Sequence, residues 1–261
     1  MAVAAGSVES LKQPLGLIWT LARTDFKARY QPTIGGFLWA LMKPVAMFLV
    51  LVAVFSFVFG SDRTYRANLI IGLFLWDFFA EGTKTGLLSL YVKGYLINKI
   101  RFPSWILVLT SISNALITLL VFSAVIIVFL AATERTPSVI GLTLFAWYLT
   151  QYAGMIVGFS LAASVLFLKY RDLNQVWDLL IQAGFFLAPI IYPLSIIPER
   201  YHVYLYAWPP TPIIQFSRAV LIEGVVPSLR AHLILAAETA AILAVGILVF
   251  RRYGRRAAEY V

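Results

Sequence analysis

Asp77, Glu81 and Lys84 are spaced four and three residues apart in an otherwise apolar stretch, so on a helix their side chains share one face. Ionisable groups at membrane depth are costly and mark either a pathway or a pairing. Two readings follow from the residue types. The three form a polar stripe facing a conduit or a subunit interface, or Glu81 and Lys84 pair locally and neutralise each other. Work as paired catalytic carboxylates would need a nucleophile or base beside Asp77 and Glu81, and none accompanies them. Gly82-Thr83-Lys84-Thr85 lacks both the first glycine of a phosphate loop and a glycine directly before the lysine, so it does not read as a nucleotide site. Glu238 stands alone among Leu235, Ala236, Ala237 and Ala240, where an interhelical hydrogen bond is expected ahead of a proton relay. Asp178 and Gln182, one turn apart, are expected to cap or bond neighbouring helices. His202 and His232 are thirty positions apart and cysteine is absent, which excludes disulfides, thiolate metal sites and cysteine nucleophiles.

The elements that must carry these residues are hydrophobic. Of 261 residues, 61% are hydrophobic and 13% charged, with mean hydropathy +0.86, far from the balance of a water-soluble domain. About 20 apolar residues at ~1.5 Å each cross a hydrocarbon core of roughly 30 Å. Six segments meet or approach that length: Phe37 to Phe59, Leu69 to Leu90, Ile106 to Ala131, Val139 to Leu168, Val176 to Tyr192 and His232 to Phe250. The expected fold is therefore an all-α integral membrane protein with six transmembrane helices. Residues 193–230 carry Pro193, Pro198, Pro209, Pro210, Pro212 and Pro227, and their one apolar piece, Ile213 to Ile222, would reach only about 15 Å as a helix. It is expected to dip into the bilayer and return as a re-entrant hairpin. Gly154 and Gly158 form a small-xxx-small pair suited to close helix packing, while Phe48, Phe55, Phe74, Trp76, Phe78 and Phe79 read first as packing or lipid contacts.

Lysine and arginine set the expected orientation. With the N-terminus inside, fourteen fall on cytoplasmic segments, six outside and Lys84 within a span, a bias that places both termini in the cytoplasm. No signal-peptide core occurs in the first 36 residues, which agrees with a retained N-terminus. The same orientation accounts for the net charge of +9 without nucleic acid, because no basic run interleaves with exposed aromatics away from the spans. Tyr192, Tyr201, Tyr204, Tyr206 and Trp208 gather on the outer side, where amphipathic rings sit at headgroup level. Across residues 11–30, Leu11, Leu15, Ile18, Trp19, Ala22 and Phe26 fall within about one quadrant of a helix, with Lys12, Arg23 and Lys27 outside it. This predicts an amphipathic interface helix from near Pro14 to before Pro32, joined to the first span through Gly35 and Gly36. Between the second and third spans lies a compact basic loop, Ile97-Asn98-Lys99-Ile100-Arg101-Phe102-Pro103-Ser104. In a chain with no nucleotide motif, such a loop reads as the point where a separate motor applies force.

Three stretches resemble the permease subunits of type-2 ATP-binding-cassette exporters, in the branch that exports lipid-linked polysaccharides such as O-antigen, capsule and teichoic acid. Leu21 to Tyr30 with Gly35-Gly36-Phe37-Leu38-Trp39 and Lys43-Pro44 is similar to the interface helix and first span of that family. Trp76-Asp77-Phe78-Phe79 through Tyr95 to Pro103 looks like its second span and coupling segment. Arg171-Asp172-Leu173 through Ala188 to Pro193, then Trp208-Pro209 and Arg218 to Gly224, looks like its fifth span and outer gate. Lys93-Gly94-Tyr95 and Trp208-Pro209 depart from the family pattern, which has asparagine near the first position and Asn-Pro at the second.

The resemblance implies a polysaccharide exporter of the bacterial inner membrane, built from two copies of the chain and two copies of an ATPase subunit. Its partners would be that ATPase, a second copy of itself, membrane lipids and a lipid-linked glycan, with no nucleic acid. This chain would hold no cofactor, and ATP and Mg would belong to the ATPase. Ile97, Lys99, Arg101, Phe102 and Pro103 would dock the motor, the charges orienting the loop and the Phe-Pro pair anchoring it. Lys169, Arg171 and Asp172 would make a second contact. Trp76, Asp77, Phe79, Glu81, Tyr192 and Trp208 would line the conduit and gate. Two alternatives remain at this level: a type-2 exporter of a drug, peptide or lipid, and an ion-coupled secondary transporter using Asp77, Glu81 and Glu238.

Overall fold

Backbone in hydrocarbon must satisfy its own hydrogen bonds, which restricts spanning segments to helices or closed barrels. The structure, a computed structural model, describes residues 14–31, 34–59, 63–99, 102–133 and 136–254, with only the backbone of 14, 15, 59 and 97–99. All regular elements among the described residues are helical: α1 (Pro14–Tyr30), α2 (Leu38–Phe59), α3 (Arg63–Val92), α4 (Gly94–Lys99), α5 (Trp105–Ala132), α6 (Val139–Lys169), α7 (Leu173–Leu187), α8 (His202–Tyr206), α9 (Pro210–Arg218) and α10 (Leu229–Tyr253). Two 3-10 turns, Leu194–Ile196 and Glu199–Tyr201, lie between α7 and α8, and α9 runs on into a π turn, Ala219–Glu223.

Among the described residues, four helices are long and apolar enough to cross a bilayer: Leu38–Val58 of α2, then α5, α6 and α10. Two of the six expected spans fall short for different reasons. At 30 residues α3 is roughly 45 Å long, well beyond the expected Leu69 to Leu90, but Asp77, Glu81 and Lys84 dilute its apolarity. By contrast α7 has only 15 residues, roughly 22 Å, and ends before the expected Tyr192. Pro189 stops it. The residue before a proline is driven out of the helical region, and Ala188 sits at φ −71°, ψ 130°.

The core is built around α3, which packs on α5 and α6, while α6 also packs along α10. Phe74 of α3 stacks on Phe122 of α5 at 4.2 Å, and Phe78 meets Tyr152 of α6 edge-on at 5.5 Å. Gly154 and Gly158 face α10, where a Cβ on Gly158 would stand 2.7 Å from the Ile242 carbonyl oxygen. The small pair thus permits the close approach that such residues give membrane helices. Serine side chains begin both partners: Ser138 accepts from the Gly141 amide at 3.0 Å and Ser228 from that of Ala231 at 3.3 Å.

The expected N-terminal helix forms as α1 and packs on α5. Its bundle-facing residues are Leu17, which is buried, and Leu21, whereas Trp19 is 71% exposed. The apolar stripe read from the sequence is thus turned partly away from the bundle; Leu11 and Lys12 of that region lie outside the described residues. Gly36 takes φ +48°, a value glycine adopts without strain, at the corner into α2. The apolar piece expected to dip at Ile213 to Ile222 is α9 and the π turn, packed on α3 and α6 with Ile213 and Ile214 fully buried. Gly224, at φ +68°, ends it, and the Val225 amide donates to the Ala219 carbonyl at 3.0 Å.

Candidate functional site

The charges of α3 find partners on other helices. Glu81 lies 2.5 Å from Arg29 of α1, Lys84 pairs with Asp178 of α7, and Lys93, just past the end of α3, pairs with Asp25 of α1. The local Glu81–Lys84 pair is therefore replaced by two interhelical ones, because the neighbours offer opposite charge within reach. Asp178 bonds a neighbouring helix as its position on the sequence suggested. Trp177 adds a second link between α7 and α3, its Nε1 donating to Thr83 Oγ1 at 3.0 Å. Lys93 also donates to Thr110 Oγ1 at 3.2 Å. Burial pulls the Lys93 ammonium below its usual range, and the hydrogen bond to Asp25 opposes that shift. The sequence reading missed Asp25 and Arg29, whose only signal was a position four residues apart on the face that starts with Leu17 and Leu21.

Asp77 and Glu81 line a cavity of about 430 Å³ with Arg29, Tyr30, Trp39 and Lys43. Trp76 and Phe79, read with them as a conduit, are instead 7% and 4% exposed. Trp76 meets Phe185 at 5.7 Å, and Phe79 meets Tyr152, Trp177 and Trp208 at 5.9, 6.0 and 5.7 Å. Trp208 lies over Gly184, where a Cβ would come within 2.6 Å of its ring. Within this chain these three are an aromatic seam joining α3, α6, α7 and the turn between α8 and α9. Glu238 is half-buried and has no hydrogen-bond partner among the described residues, so the expected interhelical bond is absent. The two histidines make structural bonds: His202 to the nearby Ile197 carbonyl at 2.9 Å, and His232 of α10 across to the Tyr148 hydroxyl of α6 at 2.8 Å. No cluster suited to a metal occurs among the described residues.

The second of the two expected motor contacts lies against one end of α3. Arg171, in the turn between α6 and α7, lies 4.2 Å over the ring of Tyr91 and 5.3 Å over that of Phe167. Lys169 lies over Tyr170 at 5.1 Å and Asp172 begins α7. Tyr91 leads directly into Lys93 and α4, the start of the basic loop. Of that loop, Phe102 packs on the core while Pro103 is exposed, and the Pro103 carbonyl accepts from the Ile106 amide at 3.1 Å to start α5. Arg101 and the side chains of Ile97 and Lys99 lie outside the described residues.

At the opposite end, Arg218 is 5% exposed and makes four hydrogen bonds to carbonyls. Nε and Nη2 donate to Asn68 at 3.0 and 2.7 Å, Nη1 to Pro189 at 2.6 Å and Nη2 to Ile190 at 3.0 Å. Gly72 leaves the space: a Cβ there would lie 2.6 Å from Nη2. The carbonyls belong to the first turns of α3 and to the broken chain after α7, whose helix end favours a cation. Tyr192 stands beside this cluster, its hydroxyl donating to the Phe186 carbonyl at 3.0 Å.

An all-helical bundle with four apolar helices long enough to cross a bilayer among the described residues, packed around a charge-paired central helix, is the architecture of a helical membrane protein. Residues 16–222 match the ABC-2 type transporter family, and the chain belongs to it. It is 30% identical over 190 residues to an O-antigen export system permease protein, RfbA, of Klebsiella pneumoniae, covering 71% of this chain and 72% of that one. An RfbA of Myxococcus xanthus is 26% identical over 205 residues, 74% of each chain. The polysialic acid transport protein KpsM of Escherichia coli is 24% identical over 233 residues, 87% of this chain and 89% of its own.

Proposed function

We propose that the chain is the membrane-spanning subunit of an ATP-driven exporter that moves a lipid-linked polysaccharide from the cytoplasm across the bacterial inner membrane. The observation that carries this reading is membership of the ABC-2 family, together with relatives matched along most of their length that are named for O-antigen export and polysialic acid transport. Fuel comes from a separate ATPase that binds ATP and Mg, in two copies beneath two copies of this chain. The helices α3 and α7 complete six crossings, with α9 and its π turn re-entrant at the outer face and α1 in the inner interface. Lysine and arginine distribution supports both termini inside.

The force path follows from contacts already described. The ATPase engages Lys99, Arg101, Phe102 and Pro103 and the Lys169–Asp172 turn, which Arg171 ties to the end of α3 through Tyr91. A push on α3 passes sideways to α1 and α7 through the Arg29–Glu81 and Lys84–Asp178 pairs. It passes lengthwise to Asn68, whose carbonyl Arg218 holds, and so to the hairpin. Glu81 is occupied by Arg29, which weighs against its use as an ion carrier.

Deleting the gene should abolish surface polysaccharide, and the intact chain should restore it. Arg101→Glu with Phe102→Ala should insert normally yet lose ATPase copurification and export. Surface polysaccharide that survives the deletion would end the proposal, and unchanged copurification by the double variant would end the docking assignment.

A further inference from the structure

The cavity beneath the proline-rich hairpin contains polar groups that packing leaves unexplained. It encloses about 480 Å³ and is lined by Asn68, Tyr192, Ser195, Tyr206, Gln215 and Glu223, with the Arg218 cluster in its wall. Gln215 Nε2 is buried without a hydrogen-bond partner, a state that native structures rarely leave unanswered. The Tyr192 ring is held by the hydroxyl bond to Phe186, and the Tyr206 ring stands 6.1 Å from Phe216. Two supported aromatic faces beside an amide donor and a carboxylate acceptor suit a hydroxylated ring, whose C–H face stacks while its hydroxyls exchange hydrogen bonds.

Charge narrows the ligand further. Arg218 is the only cation among the described lining residues, and its four bonds to carbonyls leave one of five N–H groups unspent. Glu223 adds a negative charge at the rim. The one cation is matched by the one carboxylate and has its donors turned into the wall, so the lining carries no net charge to attract an anionic group and suits a neutral sugar. We propose that this cavity is a subsite for a neutral sugar unit of the exported glycan. The proposal rests on the polysaccharide-export reading and adds a place and a chemistry for the glycan at the hairpin end of the bundle.

The full chain, purified with its ATPase into lipid nanodiscs, is titrated with mannose-, galactose- and rhamnose-based disaccharides by saturation-transfer NMR, with inorganic phosphate as the anionic competitor. At least one neutral disaccharide should receive transfer that phosphate leaves unchanged. Gln215→Leu and Tyr206→Leu should each weaken binding about tenfold, the factor expected for one lost hydrogen bond or stacking face. Tyr201→Leu, at an exposed ring outside the cavity, should bind like the unaltered chain. No transfer to any disaccharide, displacement by phosphate, or equal binding by both cavity variants overturns the proposal. Thermal unfolding is checked first, and if Gln215→Leu unfolds, Tyr206→Leu decides alone. The deletion strain separates the two levels: polysaccharide persisting without the gene removes the export reading, whereas export restored by a chain that binds no disaccharide removes only the subsite.

Discussion

Replacing Arg218 by methionine keeps most of the side chain's length but withdraws four donor bonds from three carbonyls; that of Asn68, inside α3, keeps its helical bond, whereas the buried carbonyls of Pro189 and Ile190 lose theirs. An orphaned buried acceptor costs about 1–3 kcal/mol, so two place the loss at roughly 2–6 kcal/mol, the upper range for one substitution. The cost falls on the contact that holds α9 against α3 and the chain after α7, so α9 should open locally before the bundle unfolds. Because the chain has no cysteine, Ser217→Cys provides a single thiol at a position with no exposure. Its maleimide labelling rate measures that opening, and with every 1.4 kcal/mol worth tenfold, Arg218→Met should raise the rate by more than about tenfold. Arg218→Lys, which retains charge but not the planar fork, should give an intermediate rate. Equal labelling in Ser217→Cys alone and with Arg218→Met would refute the view that these bonds hold α9 in place.

Other substitutions probe the remaining joints. Gly158→Ala should destabilise the bundle more than Gly154→Ala in thermal unfolding, because the new Cβ meets the Ile242 backbone at 2.7 Å rather than the Thr239 side chain at 3.1 Å; overpacking of this kind costs about 1–3 kcal/mol. Lys84→Met and Asp178→Leu should each lower the melting temperature, and together should recover most of the loss, since the double variant leaves no unpaired charge. Additive losses would show that the two residues act independently. Arg171→Ala and Tyr91→Ala should show a coupling of about 0.5–1 kcal/mol in a double-mutant cycle and reduce ATPase copurification, while Tyr91→Phe should keep both. Copurification unaffected by Arg171→Ala would remove this turn from the docking surface.

Hydropathy, residue spacing and the proline positions already implied an all-helical membrane protein, the limits of α1, α5, α6 and α10 within a few residues, and a broken segment before the last helix. Those features are local: an apolar run must bury its backbone bonds in a helix, and a proline ends one wherever it occurs. Which charge meets which was not legible. Glu81 and Lys84, neighbours on one helix face, turned to Arg29 and Asp178, and Arg218 was an outer-loop arginine until Asn68, Pro189 and Ile190 closed around it. Such partners are separated by up to 150 positions along the chain, and only the packing of α1, α7 and α9 around α3 sets their distances. The aromatic residues show the same limit. A Trp or Phe in a span has the same sequence signature whether it faces lipid, a conduit or another ring, and burial of Trp76 and Phe79 was decided by the helices on either side of them.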